Sequence, residues 1–413
     1  MMGKAAALLA RIAKMAPEMV ELMRVITAVP ALGPVNGGQG ELAKLQALLP
    51  HLAALGLTLE RVDAPDPRVE SGLRPNLLAW LPGGDGPAAW VLSHLDVVPP
   101  GDPAAWGGDP WSLRVRDGRL YGRGVEDNHH GLVSSFFALK AMKELGITPP
   151  GRAGLVLVAD EETGSGHGLE HVLRTRPDAF SPADLIVVPD GGDQSGGLIE
   201  VTEKSIYWLR VEVGGRQTHG ASPHRGVNSL MAAARMMVAT REVIAGFPQT
   251  DQRFGLPHST MEPTRIEEGV ANVNTIPGRT VFYLDCRLLP EIPLGEVEAA
   301  LRQRLATIAE QEGATVEISE VQRLQSPPAT PSDAPVVRAL QAAIRRVHGV
   351  EARPGGIGGG TVAAFFRQRG LPVAVWSKTN PSLHQPEEWV EIDTLVRDAQ
   401  VLGLIFARLW DQE

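Results

Sequence analysis

Five side chains of metal-ligand type recur along this 413-residue chain, each at the end of an apolar run where a strand should stop. They are His94 in VLSHLDVVPP, Asp127 in YGRGVEDN, Glu162 in VLVADEETGS, Asp190 in LIVVPDGG and His384 in PSLHQPEEW. Two imidazoles and three carboxylates exceed what one tetrahedral ion needs, but they suit two divalent ions that share a carboxylate. Ions held in this way activate water, so the chemistry expected of the set is metal-dependent hydrolysis.

Each motif also has a commonplace local reading. In HLD, residues two apart on a regular strand point to one face, which would let Asp96 accept the imidazole N–H of His94 and fix its tautomer. Taken alone, His94 reads as a structural histidine. Asp127 lies in GRGVEDN, where two glycines allow a tight backbone path, and alone it reads equally well as the N-cap of a helix starting near His130. The adjacent acids Asp160, Glu161 and Glu162 repel one another unless cations offset the charge, and the following ETGSGHG ends the strand so that neighbours can share a site. One glutamate can then bind metal while the other stays free as a base. A solvated acidic turn is the bland alternative. Five such residues at strand ends are harder to set aside than any one of them.

The elements that must carry these residues follow an α/β grammar. NLLAWLP, AAWVLSHLDVV, GLVLVAD and DLIVVPD are short, apolar and bounded by Gly, Pro or Asp, as strands are. GLVSSFFALKAMKELG has a helical pattern that stops at Gly146. PVVRALQAAIRRVHG and LPVAVWS repeat the pattern late in the chain. Alternating strands and helices predict a sheet covered by helices, and open sheets of this kind place their sites at the carboxyl ends of strands. Between them, SIYWLRVEV, NSLMAAARMMVATREVIAG, HSTMEPTRIEEG, GRTVFYLDCRLLP, GEVEAALRQRLATIAEQEG and ATVEISEV read β-α-β-β-α-β, the split ferredoxin-like order. The expected fold is therefore an α/β mixed-sheet catalytic domain, residues 1–203 and 322–413, interrupted by a smaller α+β ferredoxin-like domain at 204–321. The proline-rich SPPATPSDAP is the expected return linker.

Composition narrows the setting. A net charge of −9 argues against nucleic acid and acidic membrane surfaces as partners. The single cysteine, Cys286, excludes an internal disulfide and fits a reducing cytosol; in a strand-like run it reads as a buried, inert thiol. The N-terminal MMGKAAALLARIAKMAPEMVELMRVI reads as an amphipathic surface helix without the features of a secretory signal, and no apolar run reaches the ~18 residues a span requires. A cytoplasmic enzyme is expected.

In order along the chain, SHLDVVPPGD with WGGDPW, GRGVED, DEETGSGHG, VVPDGG, GGRQTHGASPHRGVNS, ANVNTIPG, GGGT and LHQPEE resemble the motifs of the M20 metallopeptidases. That family includes acetylornithine deacetylase, succinyl-diaminopimelate desuccinylase, carboxypeptidase G-type enzymes and aminoacylases. The resemblance implies that His94 and Asp190 ligate one ion, Glu162 and His384 the other, and that Asp127 bridges them. It implies Glu161 as general base, Asp96 as the partner of His94, and a cis peptide between Asp127 and Asn128. The insertion would be a dimerisation domain whose His219 reaches the active site of the partner in a homodimer. Asn274 and Arg287 would meet the substrate's carboxylate or carbonyl, and Gly360 and Thr361 would line that pocket. The cofactor implied is a pair of divalent ions, zinc first, with cobalt or manganese also suited to nitrogen and oxygen donors without thiolate.

Two departures stand out. The family usually has Lys-Gly after the bridging Asp, whereas this chain has His129 and His130, expected as helix-start residues facing elsewhere unless one adds a ligand or a substrate contact. After GGGT the family often has a polar residue or Asp, whereas this chain has Val362, Ala363 and Ala364. The expected reaction is hydrolysis of the amide of a small N-acyl amino acid, with a dipeptidase or carboxypeptidase acting on short peptides as the alternative. A single-ion lyase or isomerase and a non-catalytic binding module are the remaining alternatives. The module should have lost the base or a ligand, and here Glu161 and all five ligand positions remain.

Overall fold

Residues buried on both faces of a sheet form continuous apolar runs, and the runs singled out above fold that way. In the computed structural model, which describes residues 3–267 and 269–412, they become the strands Leu77–Leu81, Gly86–His94, Gly151–Val158, Leu185–Asp193 and Val373–Lys378. The eight-stranded sheet is ordered Thr58–Arg61, Leu77–Leu81, Gly151–Val158, Gly86–His94, Leu185–Asp193, Val373–Lys378, Leu198–Glu203, Arg353–Ile357. The four strands from Gly151–Val158 to Val373–Lys378 in that order run parallel, so their carboxyl ends share one edge. The strands Thr58–Arg61 and Leu77–Leu81 are antiparallel to their neighbours, which makes the sheet mixed.

The helices His129–Glu144, Pro335–His348 and Ile392–Ala407 bury their apolar faces in one core with the sheet, among them Leu132, Phe136, Leu340, Leu402 and Ile405. The N-terminal segment folds as two helices, Lys4–Ala13 and Ala16–Thr27, where one was expected. Pro17 is the reason: it suits the first turn of a helix but removes a donor from the interior of a continuous one. Both halves bury the expected apolar stripe, with Leu8, Ile12, Met19 and Met23 in the core. Among the described residues, no helix is long and apolar enough to cross a membrane.

The chain divides into two compact units. In the second, the strands Ser205–Gly214, Thr260–Ile266, Arg279–Leu288 and Thr315–Leu324 form an antiparallel sheet with Arg279–Leu288 and Ser205–Gly214 at its centre. The helices Ser229–Ala245 and Leu294–Glu312 complete the split β-α-β-β-α-β order. Its own core joins Leu209, Val211, Met236, Leu284, Leu301 and Leu305. Cys286 lies in this core, and burial pushes its thiol up to about 12, which leaves no reactive thiolate at neutral pH.

The limits of this unit differ from the expected 204–321. It comprises Thr202–Ala329 together with Gly355–Ala364. Hydrogen bonds explain the addition: Lys204 N–H donates to the Ile357 carbonyl at 3.0 Å and Gly356 N–H to the Arg253 carbonyl at 2.9 Å. The Thr361 backbone and hydroxyl donate to the Glu203 carboxylate at 3.2 and 3.1 Å. At the other limit, Gln325 accepts from Leu294 N–H at 2.9 Å and donates to the Ser205 hydroxyl at 3.0 Å, so the chain stays with this unit past Val321.

Candidate metal centre

His94 is the last residue of its strand and is buried, which holds its imidazole in one place at the carboxyl edge. Asp127 faces it across 2.8 Å, from Oδ1 to the His94 Nε2. The other oxygen of the same carboxylate, Oδ2, lies 3.0 Å from Nε2 of His384. Asp190 Oδ1 is 3.7 Å from the His94 Nε2, and Glu162 Oε2 is 3.2 Å from the His384 Nε2. One carboxylate thus presents its two oxygens to two different imidazoles, each accompanied by a second acid. Donor atoms of His94, Glu161 and Asp190 lie within 4.8 Å of one another, as do those of His94, Asp127 and Glu162.

The backbone explains how scattered residues reach one spot. Asp127 sits in the turn before the His129–Glu144 helix, whose N-cap is Asn128 rather than Asp127. Gly124 has φ +87°, and a Cβ there would stand 2.7 Å from the His129 ring, so the turn needs glycine for both reasons. Gly131 is needed for close approach: a Cβ would sit 2.5 Å from the Pro189 side chain. With nothing between them, helix and strand come near enough for Asn128 Nδ2 to donate to the Pro189 carbonyl at 2.7 Å and to Asp190 Oδ1 at 3.0 Å. The Asp127–Asn128 peptide is cis, as the family resemblance implied. Asp190 lies inside the Leu185–Asp193 strand rather than beyond its end, because that strand's pairing with Val373–Lys378 resumes after an irregularity.

Asp96 does more than was expected of it. The strand ends at His94, so the same-face rule stops applying there. The His94 Nδ1 meets the backbone carbonyl of Asp96 at 3.0 Å, and the Asp96 carboxylate stands farther off, at 3.5 Å. That carboxylate accepts two consecutive backbone N–H groups, from Glu161 at 3.1 Å and Glu162 at 3.0 Å. It therefore fastens the DEE turn, which begins with Asp160 in the left-handed region at φ +63°. The Asp160 side chain closes the turn by accepting from His167 N–H at 3.0 Å, and a buried Arg74 paired with Glu41 stands behind it.

The electrostatics are those of a cluster short of positive charge. Burial opposes charge on His94, yet Asp190 and Asp127 lift its pKa well above the usual imidazole value. Hydrogen bonds to Asp127 and Glu162 raise His384 to about 10. Burial, Asp190, Glu162 and Asp127 push Glu161 well above the carboxylate range, and burial with Asp127 raises Glu162 to about 7. Four acids this close cannot all ionise without cations between them. Glu162 Oε1 is buried with no hydrogen-bond partner, an orphaned acceptor suited to a metal. A set of imidazoles and carboxylates without thiolate fits divalent ions.

His129 and His130 both turn away. His129 Nε2 is 2.7 Å from Nζ of the buried Lys44, and Nδ1 is 3.4 Å from the Thr27 hydroxyl. Burial and Lys44 hold this imidazole well below its usual pKa, so it is neutral and accepts from the lysine. The His130 Nε2 lies 3.2 Å from Asp398 Oδ2, whose other oxygen meets Nε2 of His348 at 3.2 Å; its Nδ1 is 3.7 Å from Glu126. Burial opposes charge on His130, but Asp398 and Glu126 outweigh it and raise the pKa. The stabilisation is complete below the unfolded value of ~6.5 and is lost as pH rises through the folded value. Glu126, pushed up to about 8 by burial, acts in the same direction. His130→Gln should therefore reduce the alkaline loss of thermal stability, read as Tm against pH; an unchanged slope would rule this pair out as its source.

The remaining expected site residues belong to the second unit. His219 is exposed and pairs with Thr275 in a two-stranded ladder. Its Nδ1 accepts from Ala221 N–H at 3.0 Å, which places the proton of the neutral ring on Nε2 as a donor. Asn274 is exposed, and its carbonyl accepts from Gly220 at 2.6 Å. Arg287 is engaged: it forks onto Asp285 at 2.7 and 3.1 Å and donates to the Gly358 carbonyl at 3.1 Å, beside exposed Gly360. The sequence singles out Asp160 only as one of three adjacent acids and Asn128 only as half of a cis peptide, and it gives Arg74 no role. Only the glycines around them hinted that the backbone there was closely packed.

The model of Peptidase family M20/M25/M40 matches residues 90–408. An uncharacterised metallohydrolase of Methanococcus maripaludis is 34% identical over 406 residues, covering 93% of this chain and 97% of that protein. The succinyl-diaminopimelate desuccinylase of Rhodospirillum centenum is 29% identical over 399 residues, covering 95% and 98%. In fold, the chain is similar to the aminopeptidase PepT of Bacillus cereus (TM-score 0.71, 20% identity, 97% and 98% covered) and to human carnosine dipeptidase 1 (TM-score 0.69, 19% identity, 98% and 99% covered). With ligand-type side chains drawn together at the carboxyl edge of the sheet and a family match over most of its length, the chain belongs to peptidase family M20/M25/M40 and is a metal-dependent hydrolase of amide and peptide bonds.

Proposed function

We propose that the chain is a two-ion hydrolase that cleaves the amide of a small N-acyl amino acid. The observation that carries this reading is the Asp127 carboxylate, one oxygen toward His94 and the other toward His384. His94 and Asp190 would hold one ion, Glu162 and His384 the other, and Asp127 both. Bound there, divalent ions supply Lewis acidity toward the scissile carbonyl and bring the pKa of water towards ~7. Glu161, on a turn fastened by Asp96, takes the proton from the attacking water and returns it to the departing amine.

A homodimer completes this reading. The insertion exposes Leu230, Met231, Val238, Ile266 and Val273, and one of the two end strands of its sheet, Thr260–Ile266, has an open edge among the described residues. Exposed apolar side chains beside an unpaired edge are features of an interface. His219 of one protomer would then donate from Nε2 to the oxyanion in the partner's site. His219→Ala should lower turnover by about a hundredfold or more while metal content stays. Mixing it with Glu161→Gln protomers should recover activity that neither variant has alone; no recovery would refute the crossing.

The desuccinylase relative favours an acylated substrate, and Arg287 and Asn274 are offered for its carboxylate or carbonyl. Because Arg287 is already paired with Asp285, a substrate carboxylate must displace or share that contact. The test is a panel of N-acetyl- and N-succinyl-amino acids against dipeptides, with zinc, cobalt or manganese added to the apo-protein. Turnover confined to dipeptides would replace deacylation by peptidase action.

A further inference from the structure

We propose that Glu388 is a positioning residue of the metal centre, whose buried carboxylate ties the turn carrying Asp127 to the loop carrying His384. It rests on the two-ion reading above. Glu388 is fully buried, and each of its oxygens accepts twice. Oε1 accepts from the N–H groups of Glu126 at 2.9 Å and Asp127 at 3.1 Å. Oε2 accepts from Gly124 N–H at 3.1 Å and from Arg123 Nη1. The same guanidinium donates through Nη2 to the carbonyl of His384 at 3.4 Å. Behind these contacts, Trp389–Glu391 pairs antiparallel with Arg119–Tyr121, and the Glu388 carbonyl accepts from Gly122 N–H at 3.1 Å. Two segments more than two hundred and fifty residues apart in sequence are thus laced together on both sides of the candidate ligands.

The arrangement is specific to a carboxylate at this position. Its neighbour Glu387 is part-exposed and pairs with Arg114 and Gly107 N–H, away from the Asp127 turn. A glutamine at 388 would place its NH2 against two donors in either orientation, Glu126 and Asp127 N–H in one and Gly124 N–H and Arg123 in the other. The backbone of Asp127 would then have to move, and its two oxygens could no longer face His94 and His384 together. An aspartate would keep the charge but lose a methylene of reach, so it could not serve both pairs of donors. Changing groups that orient ligands from behind in this way typically weakens metal affinity or activity.

The test uses full-length apo-protein titrated with zinc and with cobalt, which also reports ligand geometry through its visible absorption. Glu388→Gln and Glu388→Asp should bind about 10–100-fold more weakly than wild type, with altered cobalt bands. Activity should return as free metal is raised, and Glu387→Gln should behave as wild type. If Glu388→Gln does not fold, Glu388→Asp is the variant read. Wild-type affinity and an unchanged cobalt spectrum in whichever variant folds would overturn the proposal. A wild-type protein that takes up fewer than two ions, or an Asp127→Ala protein that keeps both, would instead overturn the two-ion reading beneath it.

Discussion

Glu161→Gln should retain both ions and lose about 10²–10⁴-fold in turnover, the usual contribution of a positioned base. The substitution is isosteric, keeps the N–H that Asp96 accepts, and removes only the capacity to carry a proton. Two features of the site make the loss large. Burial raises the Glu161 pKa, and although bound cations would offset the charges of Asp190, Glu162 and Asp127, burial alone favours a better proton acceptor than a solvated carboxylate. The Asp96 clamp on consecutive N–H groups fixes the backbone of the turn and so the position from which Glu161 acts. Elemental analysis and turnover must be read together, because Glu161 also lies within ligand distance of His94 and Asp190. A variant that loses one ion along with activity would make Glu161 a ligand and not the base. A drop of less than tenfold would remove it from the chemistry altogether.

Asp127→Ala should lose both ions, whereas Glu162→Ala should lose one. The difference follows from geometry: Asp127 offers an oxygen to each imidazole, but Glu162 approaches His384 only. Stability gives an independent readout. Binding to the folded state alone adds RT ln(1 + [L]/Kd), about 2.7 kcal/mol at a hundred times Kd. Zinc should therefore raise the Tm of wild type clearly, raise that of Glu162→Ala less, and leave Asp127→Ala unmoved. The comparison has to be made against each protein's own metal-free Tm, since deleting Asp127 also removes its contacts with two imidazoles. A full zinc shift in Asp127→Ala would end its role as the shared ligand.

Much of this site could be read along the chain, and what could not has a physical cause in each case. Apolar runs ending in Gly, Pro or Asp located the strands, because a strand buried on both faces has no polar position until it stops. His94 and the DEE turn were visible for that reason. The β-α-β-β-α-β order of the insertion was equally legible, since each element there carries its own periodicity. The M20 motifs were also plain in the sequence, and the family match bears them out.

What only the tertiary structure decided is which side chains meet. Parallel pairing of four strands puts their carboxyl ends on one edge, and pairing is a long-range property that no local window contains. Asp96 shows the limit most clearly: a spacing of two implied one face, but the strand stops at His94, and the carboxylate, 3.5 Å from the His94 Nδ1, also fastens another loop. Glu387 and Glu388 are identical neighbours in sequence, yet one is part-exposed and the other fully buried against four donors. His129 and His130 divide likewise, between Lys44 and Asp398. Residue types along the chain determined what chemistry was available. Burial and partners, which depend on distant backbone, determined which of those groups carry it.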